Sequence, residues 1–200
     1  MNMSSSEYLD QIAPKAPKKQ GFGFNLRTMI FAGIGAVILV IIIAVISSSI
    51  SGNKMTPWYQ LSLRLAATEE IANQSTKSLK SSALRSINRD VKITLTNTER
   101  DLAPVFERMK ITPKKIPASI QKTETVKKTE MLTRLETGRL NAKYDSTYAR
   151  EMGYQLATVL ALYQALYSQS GPATKETLKA SYDNLLPAQK TVSEFNSATE

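Results

Sequence analysis

"LRSINRDVKITLTNTERDLAPVFERM", Leu84 to Met109, decides the fold. Leu84, Ile87, Val91, Leu95, Leu102, Val105 and Met109 recur at intervals of three, four or seven, the spacing of an apolar seam on one face of a helix that needs a partner. Pro104 removes a backbone donor inside the seam, so a kink or break is expected near Leu102.

Working outward, the same periodicity recurs on both sides. Upstream, Thr56 and Pro57 make a helix start, and Trp58, Leu61, Leu65, Ala72 and Leu79 form a stripe over about 57–80. Downstream, "ITPKKIPAS", Ile111 to Ser119, reads as a linker on its two prolines and its lysine pair. A third helix, poorer in apolar residues, begins near Ser119, carries Val126, Leu132 and Leu135, and ends near Gly138. A fourth runs from Asp145, taken as its N-cap, to Ser168, with Tyr148, Met152, Leu156, Val159, Tyr163 and Leu166 inward. After the turn "SQSGPAT" a fifth spans about 174–195 on Leu178, Tyr182, Leu185, Val192 and Phe195. No segment alternates over strand length, so the body is all-α. Short first and last connections and a longer middle one predict two antiparallel hairpins, with the third helix as a crossover.

The N-terminal quarter is different in kind. Met29 to Ile46 is 18 consecutive apolar or glycine residues, and with Ser47 to Ile50 the run reaches 22. That is roughly 33 Å of helix, enough for a hydrocarbon core of about 30 Å and longer than the apolar part of a cleaved signal. Met29, Ile30, Phe31, Ile38, Leu39, Val40, Ile41 and Ile46 would face lipid or a second helix. Gly33 and Gly35, with Ala32 and Ala36 four apart, give a small-residue face suited to homodimer formation in the membrane. Lys15, Lys18, Lys19 and Arg27 precede the run, against Lys54 and Arg64 after it, so the N-terminus is expected in the cytoplasm and the rest outside the cell. The chain then divides into a disordered cytoplasmic tail at 1–28, a transmembrane helix at 29–50, a linker at 51–56, an extracytoplasmic bundle at 57–196 and a C-terminal tail at 197–200.

The chain has no cysteine and no histidine, which removes disulfides, thiolate metal sites, thiol nucleophiles and imidazole acid–base chemistry. No G-x-S-x-G elbow is present, and "STK" and "SLK" have the wrong spacing for a serine–lysine pair. The net charge is +9, of which +7 lies beyond residue 51, a balance that attracts anionic lipid or envelope polymer. Lys114–Lys115 and Lys127–Lys128 are the only tight basic pairs there, too short for a nucleic-acid patch. Glu69, Glu70, Glu99, Asp101, Glu124, Glu130, Glu136 and Glu151 lie mostly off the apolar seams and read as solvated faces. Among the tyrosines, Tyr163 and Tyr167 are four apart and share a face, and with Lys114 and Lys115 they are the candidate binding surface. Tyrosines so placed are expected to close the edge of a core with their hydroxyls in water.

"LAATEEIANQSTKSL", "MLTRLETGRLNAKYDSTYAREM" and "NLLPAQKTVSEF" together resemble a bacterial extracytoplasmic family of ferritin-like four-helix bundles, a domain of unknown function. The resemblance covers roughly residues 58–195 and implies a ferritin-like bundle. Members of that family commonly carry histidine in the second, fourth and last helices, at places that fall near Leu95, Leu156 and Gln189. Leucine cannot ligate, so the chain reads as a degenerate, histidine-free member with no cofactor or metal. A second resemblance is to type IV pilin-like proteins, in "KKQGFGF", where Gly21 and Phe22 would flank a processing cut. Leu26 stands where that pattern has glutamate. These readings lead to a non-catalytic, single-pass envelope protein that binds a protein or anionic partner and no nucleic acid. The alternatives are a sensory ligand-binding module, a pilin-like subunit and, last, a metal-dependent enzyme.

Overall fold

In the computed structural model, which describes residues 54–199 with side chains through residue 195, the chain forms five α-helices and, among the described residues, no strands. They are α1 (Thr56–Ser75), α2 (Ser82–Arg108), α3 (Ala118–Leu140), α4 (Tyr144–Gln169) and α5 (Pro172–Thr199), with a 3₁₀ turn at Pro113–Lys115. Four of them close a ring in which α1 packs on α2, α2 on α5, α5 on α4, and α4 on α1. The α1–α2 and α4–α5 hairpins are therefore the two halves of the bundle. Helix α3 returns along its outside, against α1 and α4, and so carries the chain from one hairpin to the other as the crossover.

The seam that opened the sequence faces the centre: Leu84, Val91, Leu95, Leu102 and Val105 are buried, and Ile87 and Met109 pack at its edge. Pro104 does not break α2, which is one helix to Arg108. Burial of Leu102 and Val105 on either side holds the segment helical against the lost donor. At α3 the expectation was less accurate. Val126 is exposed, while Met131, with Leu135, is the apolar contact. The helix ends at Leu140, two residues past Gly138. A Cβ at Gly138 would come within 2.5 Å of the Thr147 hydroxyl, so glycine lets α3 approach α4.

Polar pairs hold the rest of α3. Arg64 on α1 meets Glu124 at 2.9 and 3.2 Å, and Lys127 reaches the same carboxylate at 3.0 Å. Arg134 meets Glu151 on α4 at 2.9 Å. Glu124 and Glu151 are buried, contrary to the solvated faces expected, because α3 lies over both helices that carry or face them. Glu130 and Glu136 are exposed, as expected.

Two helix ends depart from sequence rules. The stops of α2 and α3 have left-handed residues without glycine, Lys110 (φ 57°) and Ala142 (φ 56°). Around them the Ile111 and Lys143 amides donate to the Phe106 and Gly138 carbonyls at 2.9 and 2.7 Å, the long bonds of a Schellman stop. Asp145 does not cap its own helix. Its carboxylate accepts from the Lys80 and Ser81 amides at 3.0 and 2.7 Å, tying the start of α4 to the α1–α2 turn. Helix α1 stops at Ser75 instead of reaching residue 80, and Ser81 caps α2 by accepting from the Leu84 amide at 3.3 Å.

Below that turn lies a buried polar knot. Asn88 donates to the Ala72 carbonyl and the Thr76 hydroxyl, both at 3.1 Å, and accepts a bond from the Tyr148 hydroxyl. Tyr144 stacks on Tyr148 and donates to Ser75 at 2.9 Å. Tyr148 and Tyr163 are both buried, so their hydroxyls are not in water as expected for core-edge tyrosines, whereas Tyr154 and Tyr167 are exposed and the Tyr182 hydroxyl meets Gln164 at the surface. The Tyr163 hydroxyl has no hydrogen-bond partner among the described residues.

Two outcomes follow from these contacts. Ala142→Gly and Lys110→Gly relieve left-handed strain, each raising stability by about 0.5–1 kcal/mol and the melting temperature by about 2 °C in a thermal scan. Tyr148→Phe strands a buried amide oxygen and costs about 1–3 kcal/mol in denaturant unfolding, whereas Tyr163→Phe is neutral or stabilising by up to about 1 kcal/mol.

Candidate functional site

Helices α4 and α5 run antiparallel from the turn at Ser170 and Gly171, which brings Tyr163 and Tyr167 opposite Leu178 and Tyr182. Between them is a cleft of about 370 Å³. Tyr163 and Leu178 form its buried base, and Tyr167 is 41% exposed at its mouth. The Gln164 amide donates to the Tyr182 hydroxyl at 3.0 Å, fixing one wall. The Lys175 ammonium stands 5.2 Å from the centre of the Tyr167 ring, and Lys179 pairs with Asp183 on the rim. The cleft has the size of a small-molecule site, with three tyrosines among its lining and the Lys179 charge balanced by Asp183.

The structure thus joins two of the four residues expected to bind. Tyr163 and Tyr167 line one cleft, but Tyr163 offers its ring and keeps its hydroxyl inside the bundle. Lys114 and Lys115 lie in the 3₁₀ turn between α2 and α3, exposed and outside that cleft. The turn is pinned by the buried Ile111 and Ile116 and by Gln121, which donates to the Pro113 and Ile116 carbonyls at 3.0 and 2.8 Å. The two lysines therefore form a separate, exposed basic corner.

A site that the sequence reading missed lies between α1 and α2. Glu99 and Glu69 come together beside a groove of about 280 Å³ floored by Leu65, Phe106 and Ile111. Burial, then the Glu69 charge and the hydrogen bond with Glu69, push the Glu99 carboxyl up to about 7. The Glu99 Oε1 atom is buried without a donor among the described residues, and Thr96 satisfies Glu69 from the other side at 2.5 Å. A proton on Glu99 supplies the donor the pair lacks. The available signal was positional: Glu99 is four residues after Leu95 and three before Leu102, on the border of the seam instead of opposite it.

The positions that the family resemblance singled out, Leu95, Leu156 and Gln189, are all buried in the bundle. Among the described residues no group of three or more carboxylate, histidine or cysteine side chains is placed to hold a metal. Among them also no helix is long and apolar enough to cross a membrane; the anchor expected at 29–50, with its small-residue face, and the Gly21–Phe22 processing site lie outside the described residues. No family model, curated protein or solved structure matches the chain.

The Glu99 carboxyl is raised in the folded state, so its contribution to stability is full below about pH 4.5 and is lost as pH rises through about 7. The loss is on the order of 1–2 kcal/mol, since the groove side is open to water that screens the Glu69 charge. In thermal scans between pH 5 and 8, wild type should lose about 4 °C more than Glu99→Gln, whose amide stays neutral and still donates to Glu69.

Proposed function

We propose that the chain is a single-pass membrane protein, N-terminus in the cytoplasm, that displays its five-helix body outside the cell as a non-catalytic binding module for a protein or an anionic envelope polymer. The anchoring half rests on the apolar run at 29–50 and the basic residues ahead of it. The observation that carries the binding half is the α4–α5 tyrosine cleft, an aromatic recess whose exposed Tyr167 is flanked by Lys175. The excess of basic side chains on the body favours anionic partners.

A ring of two hairpins joined by an outer crossover helix supports the ferritin-like reading of the fold. With leucine and glutamine at the places where such bundles carry histidine, the interior is suited to apolar packing, which favours binding over metal chemistry. The size of the tyrosine cleft, within the usual range of small-molecule sites, favours one further reading, a sensory ligand-binding module that acts with a membrane partner.

The absence of native cysteine makes single-cysteine labelling clean. In intact cells a membrane-impermeant maleimide should label Ser119→Cys, on the exposed start of α3, and should reach Ser5→Cys only after lysis. The reverse pattern, or equal labelling of both, would refute the assigned orientation.

A further inference from the structure

At the end of the bundle formed by the α1–α2 turn, helix α2 carries a feature that neither the tyrosine cleft nor the carboxyl pair uses. Arg85, Arg89 and Lys92 are four and three residues apart along its outer face, with Ser82 and Ser86 beside them. They line a recess of about 400 Å³, with Thr76 at the α1 side and Asn88 at its base. That base is fixed, because Asn88 is held by Ala72, Thr76 and Tyr148.

The basic groups here are largely uncommitted. Arg85 donates to the Leu79 carbonyl and Arg89 to the Ser86 hydroxyl, at 3.3 and 3.2 Å, which leaves most of each guanidinium's donors unused. None of Arg85, Arg89 and Lys92 forms an ion pair with a described residue, whereas Arg64, Arg134, Arg139 and Arg150 all do. The adjacent Asp145 carboxylate is occupied by the Lys80 and Ser81 amides.

The first turn of α2 carries no acid of its own. Three cations without an ionic partner among the described residues thus stand around a recess that Ser82 and Ser86 also line. A multiply charged anion is attracted by all three together. Two planar guanidinium forks with the Ser82 and Ser86 hydroxyls match the several oxygens of a phosphate better than a single carboxylate.

We infer that the Arg85–Arg89–Lys92 recess binds phosphate groups, and that its ligand is an anionic phosphodiester polymer; the choice of polymer rests on the proposed exterior location. The test uses the full chain in nanodiscs of neutral lipid, titrated with inorganic phosphate, with a glycerol-phosphate oligomer and with polyglutamate of matched charge. The oligomer should bind most tightly, and inorganic phosphate should compete with it.

Arg85→Gln/Arg89→Gln should weaken oligomer binding at least about tenfold, while Lys122→Gln/Lys190→Gln, which removes equal charge at exposed positions elsewhere, should change it less than about twofold. Arg85→Lys/Arg89→Lys, with the charge kept and the forks lost, should fall between. The Arg85→Gln/Arg89→Gln variant should melt within about 2 °C of wild type in the absence of ligand, since both arginines are exposed and each makes a single local hydrogen bond.

Equal weakening by both charge-removing variants, or polyglutamate binding as tightly as the oligomer, overturns the site in favour of diffuse attraction. Absence of binding overturns it too. Inorganic phosphate binding as tightly as the oligomer overturns the polymer assignment. The maleimide pattern is read independently: if Ser119→Cys proves cytoplasmic while the arginine-dependent phosphate binding persists, the exterior reading fails and the oxyanion site stands.

Discussion

The burial of α4 on three sides is the constraint on which the rest of the structure depends. Every residue from Leu156 to Tyr163 is buried, which cannot be achieved by a helix packed on a single partner. Helices α1, α3 and α5 all lie against it. Each fully buried leucine or valine there contributes about 1.5–3 kcal/mol relative to exposure, so uncovering any one side exposes a continuous apolar face. The crossover helix is needed for that reason: without α3, the surface that α4 turns toward Met131 and Leu135 would face water.

Helix α3 meets this need with little apolar surface of its own. Its hold on α1 and α4 comes substantially from the Arg64–Glu124 and Arg134–Glu151 pairs, whose carboxylates are buried while Arg134 and Lys127 keep one side in solvent. Buried ion pairs of this geometry fix register more than they add stability, because desolvation offsets much of their attraction. At the opposite extreme, the knot of Asn88, Thr76 and Tyr148 is enclosed and neutral, and it joins the ends of α1, α2 and α4 at one level. It also sets the base beneath Arg85 and Arg89. The polar interior and the charged recess are therefore two sides of the same turn of α2.

Much of the bundle was legible because a single apolar stripe repeats at helical spacing. The seam from Leu84 to Val105 and the stripe from Tyr148 to Leu166 are read directly from spacing and reappear as the core. Capping was less legible. Asp145 has the residue type of an N-cap, but its carboxylate serves the amides of another helix, and two helices end on Lys110 and Ala142 where glycine would be expected. Local rules name the residue able to satisfy a backbone group and cannot say whose backbone is nearest.

The same limit applies to the candidate sites. That Tyr163 and Tyr167 share a face follows from their four-residue separation alone; that α5 adds Leu178 and Tyr182 to close a cleft, and that Tyr163 turns its hydroxyl inward, depends on how two helices pack. Glu124, Glu151 and Glu99 look alike in the sequence, as acids near the margin of a seam. Packing gives the first two an arginine and the third another carboxylate. The sequence by itself determined the helices, their apolar faces, the apolar run ahead of them and the chemistry ruled out by lacking histidine and cysteine. Only the tertiary structure decided which charges are compensated, because the energy of a charge depends on what stands within a few ångströms, and those neighbours come from other helices.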